Sequence, residues 1–133
     1  CRFNEGGWIG QPLAHQGPSA DLCTEDGVWD GSPVVKAEGR VEVRKLVADF
    51  ASQPMAYHAV MNPIIEVEGD RATAQWYLLQ PATMAKGNQA VWLAAVYNDD
   101  YVRRDGRWMF KHLRVKAHFL TPYEEGWARK PFV

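Results

Sequence analysis

Cysteine is scarce: Cys1 and Cys23 are the only two in 133 residues, too few for a disulfide framework or a thiolate zinc site. An excess of one charge is absent as well. Fifteen Lys and Arg stand against sixteen Asp and Glu, a net charge of −1, so no basic field is available to hold nucleic acid or an anionic membrane surface. No apolar run approaches the roughly 20 residues that span a bilayer, and the N-terminus lacks the charged-then-apolar layout of a signal peptide. Also missing are a P-loop, a dinucleotide-binding fingerprint, a nucleophile elbow and any metal-ligand spacing. These absences describe a cytoplasmic protein that works without a cofactor or a metal.

What is present fits one globular domain over residues 1–133, with 47% hydrophobic and 23% charged residues. Residues 6–18 hold four Gly and two Pro, which break helix and strand alike. The chain opens with Cys1 rather than Met, so 1–18 reads as a truncated or irregular segment. Six Trp, five Tyr and five Phe leave two readings open, a well-filled core or an aromatic-lined cavity for a flat ligand.

Ser19 caps a short helical turn through Cys23, and Val28-Trp29 forms a short strand between Gly27 and Gly31. Over residues 39–52, Val43, Leu46, Val47, Phe50 and Ala51 repeat at helical spacing, which predicts an amphipathic helix ended by Pro54. Beyond it the period is two. Residues 56–67 and 71–79 form a hairpin through Gly69-Asp70, a type II′ signal, and residues 91–103 and 108–120 form another through Asp105-Gly106. Gln80–Gln89 is the remaining loop. An early helix and a late antiparallel meander predict an α+β fold with a curved sheet wrapped around the helical part.

Hairpin register assigns faces. Across Gly69-Asp70, Val67 pairs with Ala72, Ile65 with Ala74, Pro63 with Trp76 and Met61 with Leu78, leaving His58, Asn62, Gln75 and Tyr77 on a mixed reverse face. Across Asp105-Gly106, Val96 pairs with Val115 and Ala94 with Ala117. The reverse then sets Asp99 opposite His112 and Tyr97 opposite Arg114. A carboxylate facing an imidazole raises the His pKa and fixes its ring, as a general base requires. Trp108 opposite Arg103 predicts a cation–π pair.

Several runs in order resemble the SnoaL-like branch of the NTF2-like superfamily: Thr24-Glu25-Asp26-Gly27-Val28-Trp29-Asp30, His58 through Val67 with Asn62-Pro63, Gly69 through Ala74, Tyr97 through Trp108, and Pro122 through Trp127. The resemblance covers about residues 19–128 and implies a cone-shaped fold with a deep cavity. It implies kinship with bile-acid and scytalone-type dehydratases, polyketide cyclases and ketosteroid isomerases. In the dehydratases a His on the strand after the long helix acts as acid and base, aided by an Asp and a Tyr on the first helix. His58 matches that His, and Glu5 falls at the Asp; the matching Tyr would precede Cys1. The bile-acid enzyme's last-strand Arg falls at Ala117, flanked by Lys116 and His118.

The expected catalytic set is therefore His58, Asp99, His112 and Glu5, with Tyr97, Asn62, Tyr77, Arg114 and Trp29 as ligand contacts. The expected activity is a cofactor-free lyase or isomerase acting on a small cyclic hydrophobic molecule. The alternatives are a non-catalytic carrier using the same cavity and a structural relative with a filled core. The sheet's outer face and the family's habit predict a homo-oligomer, a dimer above all.

Overall fold

The computed structural model describes residues 19–133. A 3-10 turn, Ser19–Leu22, leads into β1 (Cys23–Gly31), β2 (Val35–Glu38), α1 (Arg40–Ala51), β3 (Met55–Ala56), β4 (Ala59–Glu68), β5 (Arg71–Met84), β6 (Gln89–Arg104) and β7 (Arg107–Pro122). One curled sheet runs in the order β2-β1-β7-β6-β5-β3, with β4 also paired to β5. This is the expected cone. The strands anticipated from period two pair antiparallel, but the sheet is mixed, because β1 lies parallel to β7.

Helix α1 closes the concave side. Gly39, at φ 84°, turns the chain into it, a conformation that costs glycine little. The Arg40 guanidinium donates twice to the Cys23 carbonyl, at 3.0 and 2.8 Å, tying the helix start to the start of β1. Val43 is fully buried, and Leu46, Val47 and Phe50 pack beside it on Trp29, Leu78, Ala95, Tyr97 and Leu113. A second, smaller cluster of Ala56, Ala82 and Val91 fills the other end.

Three sequence expectations need correction. The loop expected at Gln80–Gln89 is shorter, because β5 continues to Met84 and only a tight turn with a 3-10 segment at Lys86–Asn88 remains. The strand expected over 56–67 is interrupted at Tyr57 and His58, although β3 and β4 meet β5 in one continuous register. The reason is Pro81. Tyr57 donates its N–H to the Pro81 carbonyl at 3.0 Å, but proline has no N–H to complete the pair. The short strand at Val28-Trp29 is in fact nine residues long, and β2 carried no sequence signal.

Register departs from the two-residue-turn arithmetic at bulges. Arg104 through Tyr101 face Arg107 through Phe110 as expected, with both Asp105 and Gly106 at positive φ, as a type I′ turn demands. A shift at Lys111 then pairs Asp100 with His112 and Asp99 with Leu113. Another near His118 pairs Ala95 with Ala117 and Ala94 with Phe119. In β4, Asn62 sits at φ 54° where a shift between Met61 and Ile64 pairs Met61 with Tyr77 and Val60 with Leu78, in place of Met61 with Leu78 and Pro63 with Trp76. Each bulge adds one residue and reverses which face the following side chains occupy. Trp108 does lie opposite Arg103, whose guanidinium sits 5.4 Å from the ring centroid.

Beyond β7 the chain folds back. Phe132 bridges to Leu120, and Trp127 stacks on Phe119 at 5.2 Å.

Candidate functional site

Inward positions are the even residues of β5 and the odd residues of β6, shown by buried Ala72, Ala74, Leu78 and Ala82 and by buried Val91, Ala95, Tyr97 and Asp99. His58 belongs to this face. It lies between inward Ala56 and Val60, opposite Gln80 in the continuous register, and is 8% exposed. Its Nδ1 is buried without a hydrogen-bond partner among the described residues. Burial disfavours the charged ring and pushes its pKa down to about 4, so the imidazole is neutral at neutral pH. No described carboxylate raises it. Glu5, the carboxylate the sequence offers for that role, lies outside the described residues.

Asp99 is 4% exposed on the same face. The Tyr101 hydroxyl donates to its Oδ2 at 2.9 Å, and the Trp76 side chain hydrogen-bonds that hydroxyl in turn. Burial pushes the Asp99 pKa up to about 7, outweighing the Tyr101 hydroxyl and the Arg114 backbone N–H that favour its charged form. Oδ1 has no hydrogen-bond partner among the described residues.

The two groups are not neighbours along the sheet. His58 faces position 80 of β5 and Asp99 faces Ala74, so roughly 20 Å of curled strand separates their levels. Trp29 shares the Asp99 level, since it pairs with Leu113, which pairs with Asp99. It is 6% exposed, its ring is tilted against Phe50 with centroids 5.3 Å apart, and its Nε1 has no partner among the described residues. Tyr97 is inward one step along, opposite Val115 rather than Arg114.

His112 and Arg114 occupy the outer face. Arg114 donates to Asp100 at 2.7 Å and lies 2.9 Å from His112 Nδ1, while His112 Nε2 is 3.6 Å from Asp30. Because a guanidinium can only donate, Nδ1 must accept and the ring proton sits on Nε2, toward Asp30. Tyr77 is 47% exposed on this outer face, and Asn62 stands exposed at the β4 bulge. Sequence reading missed Tyr101 and Trp76. Their signal was available, for the odd residues of β6 place Tyr101 beside Asp99.

Among the described residues no group of three or more His, Cys, Asp or Glu is placed to hold a metal ion, and no helix is long and apolar enough to cross a membrane.

The SnoaL-like domain family matches residues 15–114. The chain belongs to this family. As a SnoaL-like domain it is 34% identical over 114 residues to gamma-hexachlorocyclohexane dehydrochlorinase of Sphingobium indicum, an alignment covering 80% of this chain and 70% of that protein. The crystal structure of a type 2 hexachlorocyclohexane dehydrochlorinase superposes with a TM-score of 0.72 at 26% identity, over 78% of this chain and 72% of that one. A candidate scytalone dehydratase from Novosphingobium aromaticivorans gives 0.74 at 25% identity, over 82% and 74%. These relatives carry the same cone, and two of the three are dehydrochlorinases by name.

Proposed function

We propose that this SnoaL-like domain is a cofactor-free lyase acting on a small cyclic hydrophobic molecule, with His58 as the proton acceptor. The observation that carries the reading is the buried, neutral imidazole on the concave face with its Nδ1 unpartnered among the described residues. A neutral ring nitrogen takes a proton from a substrate carbon, the C–H electron pair becomes the new double bond, and the neighbouring carbon releases its substituent with the bonding pair. Loss of chloride and loss of hydroxide, the latter leaving as water once protonated, share this first step. The dehydrochlorinase relatives support the reading, and an isomerase would begin the same way but return the proton elsewhere on the ring. A base near pKa 4 is weak at neutral pH, so the reading asks for a carboxylate that accepts from Nδ1–H and leaves Nε2 as the proton acceptor, the place for which the sequence offers Glu5.

The test is to assay wild type, His58→Gln and His112→Gln against chlorinated cyclohexanes and cyclic ketols, following chloride release and diene absorbance. Removing a general base costs about 10²- to 10⁴-fold in turnover, expected for His58→Gln with ligand binding retained. His112→Gln, altered on the outer face, is expected to turn over like wild type. Full activity in His58→Gln would end the base assignment.

One observation favours the carrier alternative: a His so far below its ordinary pKa, with no described carboxylate beside it, suits a packed polar group in a binding wall. Binding of the same compounds by wild type with no turnover would select it.

A further inference from the structure

Asp-Gly occurs three times in the chain, at Asp26-Gly27, Asp30-Gly31 and Asp105-Gly106. An aspartyl carboxyl followed by glycine can close a ring on its own backbone, because glycine has no Cβ to shield the attacking amide nitrogen. The fold decides which of the three is free to do so.

Two of them are held. Both lie in β1, Asp30-Gly31 inside its ladder with β2 and Asp26-Gly27 at the bulge against β7. A Cβ on Gly27 would meet the Thr24 carbonyl at 3.0 Å, Cys23 Cβ at 3.1 Å and the Phe110 carbonyl at 3.3 Å, and one on Gly31 would meet the Trp29 ring at 2.7 Å. Neither peptide has room to rotate. The carboxyls are engaged as well, Asp26 with Lys111 and Asp30 with Ser32, whose N–H donates at 3.0 Å. Lys111 and Ser32 hold the two carboxyls below the usual carboxylate range, and an ionised carboxylate is a poor acyl acceptor.

Asp105-Gly106 differs on each count. It is the two-residue turn of the β6–β7 hairpin, closed by the Arg104–Arg107 pair, so the Gly106 N–H stands outside the ladder. Both residues are exposed. A Cβ on Gly106 would meet nothing within 4 Å, and no described side chain hydrogen-bonds or ion-pairs with Asp105. A hairpin tip opens at far lower cost than a packed strand.

We propose that Asp105 is a site of spontaneous isoaspartate formation, a backbone modification that the fold confines to this one of its three Asp-Gly bonds. The Gly106 nitrogen attacks Asp105 Cγ. The N–Cγ bond forms, the Cγ–OH bond breaks, and the amide proton leaves with the hydroxyl as water, giving a five-membered succinimide. Water then adds to one of the two ring carbonyls. At Cγ it restores aspartate; at the α-carbonyl it breaks the original peptide bond, so that the backbone runs through Cβ and Cγ and the α-carboxylate becomes the side group. Nothing is oxidised or reduced, and the water lost is regained. The turn gains one methylene and with it loses the type I′ geometry that joins Arg104 to Arg107. The freed α-carboxylate is the methyl acceptor of S-adenosylmethionine-dependent isoaspartyl methyltransferases, which supplies the readout.

The test incubates the folded protein for weeks at neutral pH and raised temperature, labels isoaspartate with such a methyltransferase and radioactive S-adenosylmethionine, and locates the label by peptide mapping. Label at Asp105 is expected to exceed that at Asp26 and at Asp30 by at least about tenfold, the ratio that a 1.4 kcal/mol difference in opening cost produces. In denaturant, where no packing discriminates, the three sites should agree within about threefold. Asp105→Glu, which would have to close a six-membered ring, should lose the label. The proposal is overturned if the folded protein labels all three sites equally or Asp105→Glu keeps the wild-type label. It is overturned as well if folded Asp105 stays unlabelled while the denatured chain labels there, the result of a turn that holds the carboxyl away from the Gly106 nitrogen.

Discussion

Leu113, not His112, is the residue that faces Asp99 across the β6–β7 ladder. The one-residue shift at Lys111 puts the carboxyl group on the concave side and the imidazole on the convex side. Asp99 is thereby buried, and His112 joins Asp30, Asp100 and Arg114 on the other surface.

His58 and Asp99 pull stability in opposite directions as pH changes. His58 has a folded pKa below its unfolded value, so its contribution is present above about 6.5 and is lost as pH falls toward 4. Asp99 has a folded pKa above its unfolded value, so its contribution is present below about 3.8 and is lost as pH rises through about 7. Each slope is at most about 1.4 kcal/mol per pH unit, and between pH 4 and 6.5 they largely cancel. Chemical denaturation should find His58→Gln gaining stability on acidification across that window and Asp99→Asn losing it. Parallel pH profiles for the two variants would refute the assignment.

Gly31 makes room for Trp29. A Cβ there would stand 2.7 and 2.8 Å from Trp29 Cζ3 and Cη2 and 3.2 Å from Val115 Cγ1, and the indole is also in contact with Phe50, ring centroids 5.3 Å apart. Gly31→Ala should cost about 1–3 kcal/mol as an overpacked site. In the Trp29→Phe background the same change should cost less, a coupling that a double-mutant cycle measures. Equal costs in both backgrounds would show that the ring does not lie over Gly31.

Self-association is expected through the outer face of β4 and β5. Met61, Ile64, Tyr77 and Leu79 are 39%, 60%, 47% and 38% exposed there, and Met61 pairs directly with Tyr77. Apolar patches of this kind mark contact surfaces more often than they face water. Sedimentation velocity should give a dimer or larger at micromolar concentration, with Tyr77→Glu shifting it toward monomer. A monomeric wild type would dispose of the idea.

The fold was legible where local chemistry decides it. Gly69-Asp70 and Asp105-Gly106 announced their hairpins, and the spacing of Val43, Leu46, Val47 and Phe50 announced α1. Faces were legible only up to the first bulge, because Lys111, His118 and Asn62 carry no signature that marks them as extra residues. His58 was placed inside by resemblance while register arithmetic grouped it with outward Tyr77, and the Asn62 bulge reconciles the two. The role of Pro81 in separating β3 from β4 is visible only once its partner, Tyr57, is known.

The parallel contact of β1 with β7 sets an order of assembly. Asp26 and Lys111 form an ion pair across 85 positions of chain, whereas β4 with β5 and β6 with β7 close through two-residue turns. Loop-closure entropy makes short-range pairings form first and delays those of high contact order. Synthesis on a ribosome runs the opposite way, releasing β1 long before residues 110–114 exist to receive it. The β7-facing edge of the strand that carries Trp29 therefore stays open, with only β2 beside the strand, until β7 is made, and the concave face is completed by joining an early strand to a late one.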